Sequence, residues 1–297
     1  TVQLKFSIIH TEYKRDMGTL LGHVLPGTFF IGFSFWWTWA IFQRYTLWHK
    51  KKQTKHSMCY RNSASYHCFF FQNLPIEGIV KLMAITIGIL GETITGFENG
   101  QFVHYGNAQH ITMFFFFGLN GIVDIIMFYT NFLPKKLDYL TASLGFAVEA
   151  FLFANHLHGR SSMDKQVHYY LNYAVMACAI STLAEMRYQK SIIPSICRVL
   201  FTMVQGFWFY TVGFILYPPN GWAPWNQEDH DQMMNITTLY CWHYILAIIC
   251  VIIIGSISSF FAQECGLKED NLLLVEYGRV NNEESSSDDE GRTSLRK

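Results

Sequence analysis

Seven stretches of this chain stay apolar for long enough to cross a bilayer, which takes about 20 residues of helix. They cover residues 21–42, 76–97, 111–132, 137–156, 167–187, 193–217 and 236–261. The first and last are the most uniformly apolar, whereas the second and fourth are weakened by glutamates. The prolines of "YPPNGWAPW" (217–225) must end the sixth, since they cannot donate to a helix and disfavour α at the residue before. The pattern predicts an all-α polytopic membrane protein, a seven-transmembrane-helix bundle.

The polar intervals orient it. Arg44, Lys50, Lys51, Lys52, Lys55 and Arg61 follow the first stretch, Lys135 and Lys136 the third, and Arg187 and Lys190 the fifth. The alternate intervals hold only Arg160 and Lys165. Because Lys and Arg mark cytoplasmic loops, the N-terminus is expected outside or in the lumen and the C-terminus in the cytosol. The host membrane is expected to be the plasma membrane or one of the endomembrane system. Trp36, Trp37, Trp39, Trp208, Trp222 and Trp225 suit interfacial belts, with some free to pack inside.

Composition agrees. The chain is 51% hydrophobic and 15% charged, against about a quarter charged in soluble domains, which leaves too little polar surface for a water-soluble fold. Net charge is zero and no basic run is interleaved with aromatics, so no nucleic-acid partner is expected; the partners are the bilayer and other membrane proteins. The seven cysteines form no CxxC or zinc-ribbon spacing. A Cys59–Cys68 disulfide is disfavoured, since that loop reads as cytosolic.

The ends differ from the middle. Residues 1–16 lack the apolar core of a cleavable signal peptide and read as an upstream extension, with Met17 as the natural start. Gly18 follows that Met, but Gly22 stands where the myristoylation motif wants Ser or Thr. Residues 17–262 form the transmembrane domain. Residues 263–297 form an acidic cytosolic tail whose composition predicts disorder; in it Ser285, Ser286 and Ser287 precede Asp288, Asp289 and Glu290 as candidate phosphosites. Asn235 opens a glycosylation sequon, "NIT", on the expected outer side, close against the last helix.

Ionisable groups at bilayer depth carry the candidate chemistry, because each costs about 2.5–3.5 kcal/mol there. In "VEAFLFANHLHG" (148–159), Glu149 and His156 are seven apart and share a helix face, while His158 turns away. Lys81 with Glu92, and His110 with Asp124, are similarly aligned, and Glu77, Asn120, Asn172, Glu185, Arg198, Gln205 and His243 add to the stripes. Stripes on several helices predict one shared interior network. Three uses stay open. His110, Glu149, His156 and His243, with Glu92 or Asp124, supply the ligand types zinc or iron prefers, as a metal-dependent intramembrane hydrolase or oxidoreductase requires. The same groups serve as polar glue between helices. Glu92, Asp124, Glu149 and Glu185 could line a proton or ion path. Haem ligation would need facing His pairs at two depths, and the pattern has one cluster. "FFFF" (114–117) reads as lipid or helix contact, and Gly88, Gly91 and Gly96 as places for close packing.

Several stretches together carry a resemblance: "GHVLPGTFF" (22–30), "QHITMFFFFGLNGIVDI" (109–125), "VEAFLFANHLHGR" (148–160), "QGFWFYTVGFILYPP" (205–219) and "CWHY" (241–244). In this order and spacing the chain resembles the transmembrane protein 45 family over about residues 17–261. The resemblance implies a multi-pass membrane protein of roughly seven helices, with no settled activity and no catalytic residues to carry over. Residues 59–78 match loosely. With no complete catalytic constellation present, a non-enzymatic membrane interaction or scaffold protein is the leading expectation.

Overall fold

The computed structural model describes residues 19–54, 60–68, 71 and 73–264. The expectations for residues 1–16, Met17, Cys59 and the phosphosites Ser285, Ser286 and Ser287 lie outside these residues, as does the tail apart from Gln263 and Glu264.

Seven long helices account for most of the described chain: α1 (Leu20–Thr54), α2 (Ile76–Gly96), α3 (Tyr105–Tyr129), α4 (Leu137–Ala154), α5 (Ser162–Arg187), α6 (Ile193–Leu216) and α7 (His230–Glu264). Successive helices run up and down; the upper end is where α1, α3, α5 and α7 begin. Around the bundle α1 packs on α6, α6 on α5, α5 on α4, α4 on α3 and α3 on α2, while α7 lies outside against α1 and α6. The ring is barely closed, since α1 and α2 meet only slightly.

Several boundaries differ from the apolar windows, each for a local reason. α1 runs twelve residues past 42, because the basic residues there keep helix propensity once the apolar stretch has ended. α3 starts six residues before 111. α4 stops at Ala154, so His156 lies beyond the helix rather than on the stripe of Glu149. α6 ends at Leu216, immediately before the Pro-rich segment. Between α2 and α3 the chain forms a two-residue antiparallel ribbon, β1 (Phe97–Glu98) and β2 (Gln101–Phe102). Asn99 and Gly100 both have positive φ, 51° and 79°, as the tight turn of such a hairpin demands.

Six helices are long and apolar enough to cross a membrane, and α5 is the one left out. Its polar residues, from Asp164 and His168 to Asn172 and Glu185, lower its apolarity, and all four lie on the face turned into the bundle. Val167, Leu171, Ala174, Val175 and Cys178 have no exposed surface. Asp164, His168 and Glu185 find partners within the protein, while Tyr169, Tyr173, Met176, Ile180 and Leu183 stand exposed on the opposite face. α7 likewise exposes Ile245, Ile249, Ile252 and Phe260, as a lipid-facing helix must.

Small residues and hydroxyls join the helices. A Cβ on Gly206 would stand 2.9 Å from the Ile31 nitrogen, and one on Gly27 3.0 Å from the Gly206 carbonyl oxygen; α1 and α6 approach that closely only because both are glycine. The Phe114 ring fills the space where Gly88 lacks a side chain, while Gly91 faces open space. Ser258 Oγ donates to the Trp39 carbonyl (2.7 Å) and Thr46 Oγ1 to Ser259 Oγ (2.9 Å), tying α7 to α1.

Candidate functional site

The polar stripes do not merge into one network; they resolve into three layers. At the upper end, α2, α3 and the turn after α4 bring together Glu92, His110 and His156. The His110 and His156 rings are 5.2 Å apart, centre to centre. His110 Nδ1 lies 3.2 Å from Glu92 Oε1, and His156 Nδ1 donates to Gln109 Oε1 (2.5 Å). The backbone gives way for His156, since a Cβ on Gly106 would sit 2.9 Å from its ring. Burial, with Arg160 and His110 adding to it, pushes the His156 imidazole down to about 3, so the ring is neutral.

A second pair sits beside it. His23 and His168 have ring centres 6.0 Å apart; His168 Nδ1 donates to the Asp164 carboxylate (2.8 Å), which also pairs with Arg160 (3.0 Å). His23, His168 and Asp164 escape a search for polar residues inside apolar windows, since Asp164 precedes its window and the two imidazoles sit near window ends. Four histidines at one level was the available signal.

The middle layer holds Glu149. Both its oxygens accept from Gln205 Nε2 at 3.0 Å, and Gln205 Oε1 accepts from the Cys178 thiol at 3.5 Å. Glu149 therefore faces α6, and His156 faces α3. His243 is elsewhere again: it packs edge-on to Trp208 (5.2 Å) with Nε2 2.9 Å from Thr211 Oγ1, between α7 and α6. His158 is exposed, as its turn away from the bundle implies. The candidate ligand set is thus divided, and among the described residues no three His, Cys, Asp or Glu side chains converge as a metal site requires. Asn235 is exposed within the first turns of α7.

The lower layer carries the charges. Lys81 Nζ reaches Asp124 Oδ2 (2.6 Å), Glu77 Oε1 (3.0 Å) and Asn120 Oδ1 (3.1 Å). Glu77 also accepts from the Trp36 and Trp37 indoles (3.0 and 2.9 Å) and the Tyr66 backbone N–H (2.8 Å). Across the bundle Arg198 Nε donates to Glu185 Oε2 (2.6 Å), and Ser195 Oγ to Glu185 Oε1 (2.8 Å). The Trp37 ring lies between the two cations, 4.3 Å from the Arg198 guanidinium and 5.6 Å from Lys81 Nζ, where its negative faces attract both. The segment 60–68 turns back into this end: Asn62 N–H donates to the Gln189 carbonyl (2.7 Å), and Tyr60, Ala64 and Tyr66 are buried.

Six apolar spanning helices around buried, mutually paired charges define an all-α polytopic membrane protein. Comparison with known proteins agrees. Residues 135–255, from the start of α4 into α7, match a family of unknown function, DUF716. Over 266 residues, 82% of each chain, the protein is 24% identical to mouse transmembrane epididymal protein 1A, and equally to rat transmembrane epididymal protein 1. The human transmembrane epididymal protein 1 is 27% identical over 164 residues, 54% of this chain and 59% of its own.

Proposed function

We propose that the chain is a non-enzymatic membrane protein, acting through lateral or cytosolic contact with other membrane proteins, whose ionisable side chains hold the bundle together. All seven helices cross the membrane in this reading, with the N-terminus outside or lumenal, the C-terminus cytosolic, and the plasma membrane or endomembrane system as host. The resemblance to the transmembrane protein 45 family fits it. One observation carries the proposal: Glu92, His110, Asp124, Glu149, His156 and His243 each already have a protein partner. Hydrogen bonds of this kind between membrane helices contribute about 0.6–2 kcal/mol each.

A metal-dependent activity keeps one specific observation, the adjacency of His110, His156 and Glu92 at the upper end. Elemental analysis separates the two. The purified protein is expected to carry no stoichiometric zinc or iron, and His110→Ala and His156→Ala to lower only its thermal stability. Stoichiometric metal that disappears in either variant would overturn the non-enzymatic reading.

A further inference from the structure

The lower end of the bundle is strongly basic. The connections at that end, residues 55–75, 130–136 and 188–192, contain Lys and Arg but no Asp or Glu. Membrane topology accounts for their sign; the fold then gathers them. Segment 60–68 crosses beneath the bundle from the α5–α6 turn to the end of α3. Asn62 donates from its backbone N–H to the Gln189 carbonyl (2.7 Å) and from Nδ2 to the Ser191 carbonyl (2.5 Å), and the His67 ring stands 5.1 Å from that of Phe128. Along the segment the buried Tyr60, Asn62, Ala64 and Tyr66 alternate with the more exposed Arg61, Ser63, Ser65 and His67. Because the Asn62 bonds fall on either side of Lys190, Arg61 is brought to the turn that carries Lys190. Among the described residues, Arg61, Lys136, Arg187 and Lys190 are exposed and no carboxylate pairs with any of them.

Unpaired charges of one sign gathered on one face attract a polyanion, and two observations select it. Lipid surrounds a bundle but does not lie beneath it. Anionic head groups therefore reach Arg187, which continues the exposed stripe of Tyr173, Ile180 and Leu183, but not Arg61 on the segment under the bundle. The second observation is where α7 ends. Lys50 Nζ, near the end of α1, donates to the Gln263 carbonyl (2.6 Å), so the chain leaves the bundle at this same basic end. In the sequence that follows, Glu283, Glu284, Asp288, Asp289 and Glu290 put five acids into eight residues. Glu283 comes 19 residues after Glu264, which allows a reach of up to about 65 Å, against roughly 30 Å across a bundle three helices wide. A tether of this kind holds the acids near the patch at about millimolar effective concentration. The zero formal net charge of the chain is thus partly the sum of a basic face and an acidic segment attached beside it.

We propose that the underside of the bundle is a docking surface for the chain's own acidic segment, residues 283–290, which pairs with Arg61, Lys136 and Lys190. The proposal goes beyond the non-enzymatic reading by naming a surface and its occupant. It holds whichever compartment the lower end faces, because the patch and the segment are on the same side of the membrane. It is tested on the full-length protein, one copy to each phosphatidylcholine nanodisc, with a zero-length carbodiimide that joins an amine to a carboxylate only where the two touch. Peptides carrying Lys136 or Lys190 are expected to be joined to residues 283–290. The yield should fall about fivefold in Arg61→Gln with Arg187→Gln, and further at about 1 M salt, where charges are screened beyond about 3 Å.

A second measurement leaves the bundle itself unaltered. With Glu283, Glu284 and Glu290 changed to Gln and Asp288 and Asp289 to Asn, acetylation of Lys190 by a soluble reagent should be about fivefold faster than in the wild type. Unchanged acetylation would overturn the docking, even if the arginine variant failed to fold. Cross-links spread evenly over Glu269, Asp270 and Glu276 as well would overturn it too, since they would report the tether alone. So would cross-links that vanish when part of the phosphatidylcholine is replaced by phosphatidylserine, which would assign the patch to anionic lipid. Each of these failures leaves the non-enzymatic reading standing.

Discussion

Glu185 has no exposed surface, and it persists in the bundle because Arg198, Ser195 and Tyr139 all donate to it, at 2.6, 2.8 and 3.4 Å. Removing one partner of a buried ion pair strands the other charge, which costs about 3–5 kcal/mol; removing both costs far less. Arg198→Met should therefore lower unfolding stability by about that amount, and Arg198→Met with Glu185→Met should recover most of it. Equal losses in the single and double variants, read from thermal unfolding in nanodiscs, would show that the pair does not act as one unit. Glu228 works at the surface. Its carboxylate accepts from the Ser162 hydroxyl and backbone N–H at the start of α5, and these donors hold it below its ordinary value of 4.5. As pH falls the unfolded chain takes up this proton first, so the capping contribution is present above the ordinary carboxylate range and is lost as pH drops through the lowered value. Hydrogen exchange at residues 162–165 should accelerate on acidification. In Glu228→Gln it should already be faster at neutral pH and respond less to acid.

At the scale of elements, apolar length identified every helix but misjudged which would be least apolar. The glutamates of α2 and α4 look costly in sequence, yet α5 is the helix that falls short of a lipid-facing span. Hydropathy averages over a whole helix, and the residues that lower it in α5, Asp164, His168, Asn172 and Glu185, are buried inside the bundle. The hairpin between α2 and α3 turns on Asn99 and Gly100, and reading the chain by apolar windows passed over it, since such windows say nothing of a two-residue ribbon. The α1–α6 contact depended on which glycines face each other, and no pattern within either helix reveals that. Since Gly206 has no room for a methyl beside the Ile31 nitrogen, Gly206→Ala should lower thermal stability by about 1–3 kcal/mol. A variant of wild-type stability would mean that α1 and α6 can separate at no cost.

For the whole molecule, the topology turns on whether α5 crosses the membrane, as the proposed seven-span reading requires. At 26 residues it is about 39 Å long at 1.5 Å per residue, ample for a hydrocarbon core of about 30 Å. In sealed microsomes with their cytosolic face outward, a C-terminal tag should be digested by protease and an N-terminal tag protected. Both tags on one side would mean an even number of crossings, and a reversed pattern would overturn the charge-based orientation. The sequence by itself determined that the chain lives in a bilayer, how many helices it has and which residues are too polar to face lipid, because these follow from local apolarity and the 3.6-residue period. Only the tertiary structure decided which polar residues meet. Glu149 and His156, aligned by spacing, go to Gln205 and Gln109, since α4 ends between them and different neighbours wait on either side. Periodicity specifies a face, but the partner of that face is set by how whole helices pack.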